Sequence, residues 1–359
     1  MSREDCSIIK KAIATSLQFG VPFIAYSFPN DDNIKFFSSP DDFNASNKNR
    51  VVVSSWLDER RDIIYDKLNA YDTLLYIRNS AVRPAPWSCF HWNKSTERDI
   101  YLANLSQLIV SLKTRGGKTV ISTANNFEFT NPVSFDWFAD LWFSLCDIHL
   151  SDFCFIFYTP LTGAWLGATP EKLLSVDFSN MYFSTMALAG TRPLKEENQP
   201  WDDKNIEEHN IVTNYIIDVL QSFGVTAHKA ATTNLSYGSI EHLITPINGH
   251  LPENSDVYKI ISSLSPTPAL SGYPVDIAIE EINRYESHPR RMYGGFIAIE
   301  TGSKIDAFVN LRSMQFDQSG CCLYAGGGIT ASSIPTVEWE ETRLKIQAFL
   351  SHIDPLGKK

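Results

Sequence analysis

A chain of 359 residues with a formal charge of -10, 43% hydrophobic and 20% charged, is long enough for one large layered domain or two ordinary ones. No stretch approaches the ~20 apolar residues that cross a bilayer, and an acidic balance without clustered Lys and Arg excludes a nucleic-acid surface. The opening MSREDCSIIKK mixes charges of both signs without an apolar run, so no leader is expected and the protein is read as cytoplasmic.

Residues 1–100 carry the weakest patterning, and the polar stretch 29–50 interrupts them. A helical repeat runs over 97–113, followed by the strand KTVIST from Lys118 and a second helix over 134–148. FCFIFYT, AWLGA, KLLSVDF and MYFSTMALA read as strands bounded by Gly and Pro. The polar stretch 193–208 precedes helices expected over 206–223, 255–264 and 274–284. The strands GGFIAIE, IDAFVNLRS and CCLYAG come next, and a helix over 336–352 completes the pattern. Strands in runs and helices in blocks describe an α+β fold, antiparallel sheets covered by helices, and not a parallel doubly wound sheet. Six cysteines, at 6, 89, 146, 154, 321 and 322, include no C-x-x-C and lie partly in apolar runs, so neither a disulfide framework nor a zinc site is expected.

The chemistry concentrates in a few places. In GGGITASSIPTVEWEETRLK, Pro335 suits the first helical position, and Trp339, Ile346, Phe349 and Leu350 form the buried stripe. Glu338, Glu341 and Lys345 share another face, at i, i+3 and i+7. Taken alone, that face reads first as solvated, with a Glu-to-Lys pair; two carboxylates one turn apart also suit a hard cation such as Mg2+. In KNIEEHNIVTNYIIDVL, Glu208 falls on the apolar stripe of Val212 and Tyr215. A carboxylate aimed at a core needs a partner, and complementing the helix N-terminus is the equal alternative. Lys118 is either a solvated edge residue or, if buried, a candidate general base. Glu171 follows a Gly and Pro turn, and glycines 163, 167, 190, 272, 294, 295 and 326 to 328 stand at strand ends, where backbone approaches a ligand closely. No G-x-G-x-x-G before a helix and no G-x-x-x-x-G-K-[ST] occurs, which excludes dinucleotide and P-loop readings.

The segments LTGAWLGATPEKLLSV, MALAGTRPL, EEHNIV, IEHLITPINGHL, LSPTPALSGYP, YGGFIAIE, FVNLRS and YAGGGITASSIPTVEWEET with Lys345 together resemble the chorismate-utilising enzymes, and among them the isochorismate synthases. They run from about 118 to 350 in the family's order, leaving residues 1–100 as the less recognisable part of one domain over 1–359. The resemblance implies large antiparallel sheets packed as a sandwich with helices outside. It also implies Mg2+ held by Glu208 and Glu341, with Glu338 in a supporting role, and chorismate as the small-molecule substrate. Arg312 and Lys345 match the cations for the enolpyruvyl carboxylate, Gly326 to Gly328 the backbone at a substrate carboxylate, Gly190 and Thr191 further substrate contacts, and His242 a histidine near the ring. Lys118 matches the base that activates water where anthranilate synthases have Gln, and Glu171 the acid that protonates the departing hydroxyl. Ala189 stands where aminodeoxychorismate synthases carry a nucleophilic Lys. The implied activity is that of an isomerase making isochorismate for menaquinone or siderophore biosynthesis, a monomer without an amidotransferase subunit. A salicylate synthase is the alternative, with anthranilate synthase component I and a non-catalytic ligand-binding relative behind it. Ser265, the run Pro289-Arg290-Arg291, and KTVIST depart from the family pattern.

Overall fold

Two antiparallel sheets frame the computed structural model of the chain, which describes residues 3–40, 49–57, 61–80, 83–84, 94–194, 199–237 and 240–353. Eight strands form the first sheet: β1 (Phe23–Ser27), β2 (Lys35–Ser38), β5 (Lys118–Glu128), β6 (Phe153–Thr159), β7 (Gly163–Thr169), β13 (Gly272–Tyr273), β16 (Ser313–Asp317) and β17 (Gly320–Ile329), in the order β13-β5-β17-β16-β7-β6-β1-β2. The second holds β3 (Arg50–Ser54), β4 (Arg61–Tyr65), β8 (Lys172–Asp177), β9 (Tyr182–Pro193), β10 (Ala227–Lys229), β12 (Ile240–His250), β14 (Phe296–Glu300) and β15 (Lys304–Val309), in the order β10-β12-β9-β8-β15-β14-β3-β4, with β11 (Thr233–Tyr237) also on β12. The helices among the described residues are α1 (Arg3–Phe19), α2 (Ala70–Asn79), α3 (Arg98–Arg115), α4 (Phe135–Ile148), α5 (Asp203–Ser222), α6 (Val257–Leu264), α7 (Val275–Tyr285) and α8 (Pro335–Ile353).

Strand alternation explains the layering. Successive side chains of a strand point to opposite faces. In β6, Phe153, Phe155 and Phe157 join Ile24, Trp165, Ile297 and Phe308 between the two sheets, while Cys154 and Ile156 face α1 and α4. In β14, Ile297 and Ile299 point into that same interior, while Phe296 and Ala298 pack beneath α5 and α6. The order is therefore helix, sheet, sheet, helix, and both faces of each sheet are buried. The sandwich implied by the resemblance is what the chain forms.

The six helices expected from periodicity are present. The start of α5 shifts from 206 to Asp203, because the Asp202 carboxylate accepts from the Asn205 N–H and caps it there. The N-terminal hundred residues supply α1, α2 and the outer strands of both sheets, β1 and β2 in one and β3 and β4 in the other. One expectation is corrected: IDAFVNLRS is two strands in different sheets, not one. The chain leaves β15 at Val309 and enters β16 at Ser313, and Arg312 stands at the corner with φ 48°. A second corner lies between β7 and β8, where Pro170 and Glu171 carry the chain from the first sheet to the second. Cys6, Cys146, Cys154, Cys321 and Cys322 are free thiols, and Cys89 lies outside the described residues. No helix among the described residues is long and apolar enough to cross a membrane.

Candidate active site

The glycine run of β17 gathers the acidic and basic side chains. Gly328 pairs with Val120 of β5, and a Cβ built on it would lie 2.9 Å from Lys118 Cε and 3.2 Å from Glu208 Oε1. On Gly327 a Cβ would lie 3.3 Å from Glu338 Oε2 and 3.7 Å from Glu341 Oε1. Contacts shorter than about 3 Å to a Cβ force something to move, so alanine at 328 would displace the lysine stem. Lys118 Nζ donates to Glu208 Oε1 at 2.5 Å, and Lys345 Nζ donates to Glu341 Oε1 and to the Gly326 carbonyl, each at 2.8 Å. Two acidic helices far apart in sequence, α5 and α8, thus meet over one strand. Glu340 is exposed on the outer face of α8.

Of the two readings open for Lys118, the structure selects the buried one, at 2% exposure. Its backbone is enclosed by glycine. Register places Tyr273 opposite Lys118 and Gly272 opposite Thr119, and Gly272 adopts φ 119°. A Cβ on Gly272 would lie 2.2 Å from Lys118 O, and one on Gly117 2.2 Å from Tyr273 O, distances no side chain tolerates. Glu208, likewise, is an ion-pair partner and not merely a complement to the helix dipole. His209, the neighbour to which sequence reasoning gave no role, fixes α5 to the second sheet. It is 3% exposed, with Nδ1 3.2 Å from Ala189 O and Nε2 2.6 Å from Thr245 Oγ1. Only its presence in EEH marked it.

The opposite wall comes from β9, β12 and the β15–β16 corner. His242 pairs with Thr191 and Leu243 with Ala189, so Gly190 is the extra residue of a bulge, at φ 75°. The bulge turns the Gly190 carbonyl toward His242 Nδ1, 3.2 Å away, with Thr191 Oγ1 at 3.0 Å. Arg312 Nη2 donates to His242 Nε2 at 3.3 Å. A guanidinium has no acceptor, so Nε2 must be the unprotonated nitrogen and Nδ1 carries the hydrogen. Burial first, then the Arg312 and Lys345 cations, hold the His242 pKa down to about 4, which agrees with a neutral ring. Asn205 Oδ1 accepts from the Thr191 N–H at 3.0 Å and ties the bulge to the first turn of α5.

Glu171 closes the site from its corner. It is 5% exposed, and burial raises its pKa to about 7 against the opposing pull of Arg312 and Lys118. The same charges connect the two walls, since Lys345 and Glu341 both act on His242. Lys118, Glu208, Glu338, Glu341 and Lys345, joined through Gly326, Gly327 and Gly328, therefore form one contact group, and Gly190, Thr191, His242 and Arg312 a second. Glu171 is coupled to both by charge.

The donor set tells which cation would fit. Among the described residues no three His, Cys, Asp or Glu side chains stand together as a finished metal cage. Glu208 and Glu341 instead each hold a lysine ammonium. The carboxylates offer only oxygen, which suits a hard divalent ion such as Mg2+ and suits zinc or copper poorly. Glu338 is 5% exposed, and its pKa is raised, by burial first, with Ser333 opposing and the Glu341 charge adding to it. A dry carboxylate beside another is a group that a cation relieves. Glu341 differs: its neighbour Lys345 lowers its pKa despite burial.

Comparison with known proteins bears on the family and the fold. A family model described as "Chorismate binding enzyme" matches residues 44–354. The chain is 33% identical over 196 residues to "Isochorismate synthase MenF" of Bacillus subtilis (strain 168), covering 52% of this chain and 42% of that protein. It is also 30% identical over 206 residues to "Anthranilate synthase component 1" of Acetivibrio thermocellus, covering 54% and 41%. These alignments span less than half the length of the curated relatives. The solved structure of MenF, the menaquinone-specific isochorismate synthase from Escherichia coli, superposes with a TM-score of 0.77 over 96% of this chain and 91% of that one, at 21% identity. That likeness establishes the fold.

Proposed function

Because the chain belongs to the chorismate binding enzyme family, we propose that it is an isochorismate synthase, adding water at C2 of chorismate with loss of the C4 hydroxyl. The observation that carries this is that one buried amine, Lys118, and one buried carboxyl, Glu171, whose pKa burial raises to about 7, lie close enough for the Lys118 charge to act on Glu171. Isochorismate synthases and anthranilate synthase component 1 both stand among the similar proteins, so the nucleophile is read from these two groups and from Ala189, which offers no competing amine.

Lys118 acts here as the neutral amine, after releasing the proton it shares with Glu208 in the resting pair, and takes a proton from water as the water oxygen forms the new bond to C2. The ring double bond shifts, the C4–O bond breaks, and Glu171 gives its proton to the departing hydroxyl, which leaves as water. Atoms balance: one water enters, one leaves, and the product is an isomer. Arg312 and Lys345 bind the enolpyruvyl carboxylate, the guanidinium by a two-point grip. The peptide groups of Gly326 and Gly327 are assigned to the ring carboxylate, and at Gly327 a side chain would crowd Glu338 and Glu341. Neutral His242, its hydrogen held by Gly190, keeps Arg312 aimed without adding a third positive charge. Mg2+ held by Glu208 and Glu341, with Glu338 beside them, would neutralise the ring carboxylate and fix its orientation.

The test is incubation of purified protein with chorismate and Mg2+, followed by chromatography. Isochorismate is the expected product. Salicylate with pyruvate would move the assignment to a salicylate synthase, anthranilate formed with ammonia to the amine-adding branch, and unchanged chorismate to a ligand-binding relative.

Glu171 yields a pH prediction. As a proton donor it must be protonated, so kcat/KM is expected to fall as pH rises through about 7, and Glu171→Gln should lose that limb along with most of the activity, roughly 100-fold or more. Stability should fall over the same pH range. A carboxyl whose folded pKa is raised from 4.5 to about 7 favours the folded state fully below pH 4.5, and that contribution is lost as pH climbs through 7. The neutral glutamine escapes the loss, so Glu171→Gln should unfold at a higher temperature than wild type at pH 8, by the equivalent of ~3 kcal/mol at most. A wild-type alkaline limb retained in Glu171→Gln would assign the donor role to another group.

A further inference from the structure

Among the described residues, β5 has on its outer side only β13, two residues long, as a neighbouring strand. An edge of this kind presents backbone donors and acceptors that must find partners once buried. The Val120 N–H donates to Ser271 O at 2.9 Å. Beyond it, β5 is met by side chains and one backbone group: the Ser122 N–H donates to Glu286 Oε1 at 2.6 Å, the Ala124 N–H to Thr96 Oγ1 at 3.0 Å, and the Thr96 N–H to Ala124 O at 2.8 Å. Arg290, in the run Pro289-Arg290-Arg291 that sequence reading left without a role, is the centre of this arrangement. It is 2% exposed. Nη2 donates to Val120 O and Nη1 to Leu270 O, both at 2.8 Å, and Nε and Nη2 donate to Glu286 at 2.9 and 2.6 Å. The guanidinium lies over Trp56, 4.1 Å from the ring centre.

We propose that Arg290, held by Glu286, is a positioning residue that sets where Lys118 presents its amine, an inference that rests on Lys118 being the base. Lys118 opens its strand two residues before Val120. The crossing of the two backbones beside it is lined by Gly117 and Gly272, and Arg115 holds its near end, Nη1 donating to the Gly116 carbonyl at 2.7 Å and to the Tyr273 carbonyl at 3.4 Å. Arg290 ties the two together from outside, joining Val120 of β5 to Leu270, just ahead of β13. Only a planar fork reaches two carbonyls and a carboxylate at once; a lysine ammonium cannot hold all three. Small displacements of a catalytic group reduce turnover steeply, about 100-fold for 1 Å.

The experiment compares Arg290→Lys and Arg290→Gln in the full chain with Ile13→Ala, a core substitution in α1 remote from the site, chosen to lower Tm to a similar extent. Arg290→Lys keeps the buried charge and remains interpretable if the glutamine variant fails to fold. Expected in Arg290→Lys are a kcat lowered about 10- to 100-fold, a KM for chorismate within about twofold of wild type, and amide exchange over residues 118–124 accelerated about tenfold or more. Ile13→Ala should leave kcat and that exchange unchanged. Wild-type kcat in folded Arg290→Lys overturns the proposal, as does an equal kcat loss in Ile13→Ala. An active Lys118→Ala would instead remove the assignment of the base, and the exchange data would still show whether Arg290 holds the strand.

Discussion

Lys118→Ala is expected to lower kcat about 1,000-fold or more, equivalent to ~4 kcal/mol of transition-state stabilisation, in a protein that remains folded and binds Mg2+ no more weakly. The size follows from position. The amine is 2% exposed, and its direct partner is Glu208 at 2.5 Å, so no solvent-borne base of similar strength can take its place. Metal binding should survive because the substitution removes a cation from Glu208 and leaves the carboxylate intact. Product formation followed by chromatography gives kcat, and calorimetric titration with Mg2+ gives the affinity. Turnover above a tenth of wild type would mean that the proton leaves by another route; a weaker Mg2+ affinity would mean that Lys118 organises the carboxylates instead of competing for them.

Glu341→Ala should abolish Mg2+-dependent turnover with little change in Tm. Glu341 leaves 40% of its side chain exposed, and an ion pair so exposed adds at most about 1 kcal/mol to stability. Its loss leaves Lys345 bound to the Gly326 carbonyl, so the cation side of the site stays in place. Mg2+ affinity is expected to weaken about tenfold or more, and kcat at millimolar Mg2+ about 100-fold or more. A Mg2+ titration that superimposes on wild type would remove Glu341 from the metal site.

What could be read from the sequence was what period and composition encode locally. FCFIFYT reads as a strand with two buried faces, and it is one. IEHLITPINGHL gave no strand signal because Pro246, Asn248 and Gly249 interrupt it, although the chain there forms the long strand β12. Pro246 sits in it without loss, its carbonyl accepting from the Ala230 N–H. The corner at Arg312 was invisible for a related reason: IDAFVNLRS has unbroken strand composition, and only the packing of two sheets makes the chain turn inside it. For the site, no single segment decides whether Lys118 is dry, since that depends on Gly272 and Gly328, more than 150 residues away. Family resemblance supplied the residues, and the fold supplied their convergence. Arg290 was hidden because, besides Glu286, its acceptors are the Val120 and Leu270 carbonyls, which leave no trace in side-chain patterns.

Glu171 and Arg312 stand where the chain crosses from one slab to the other, whereas Lys118 belongs to a single slab. The filling between them, including the parallel rings of Phe153 and Phe308 with centres 4.1 Å apart, therefore acts as a spacer gauge. Under the proposed roles, its thickness sets the gap that Glu171 and Lys118 must span across the ring. Thinning it by one ring would detune the reaction from more than one layer away, without touching any group that meets the substrate.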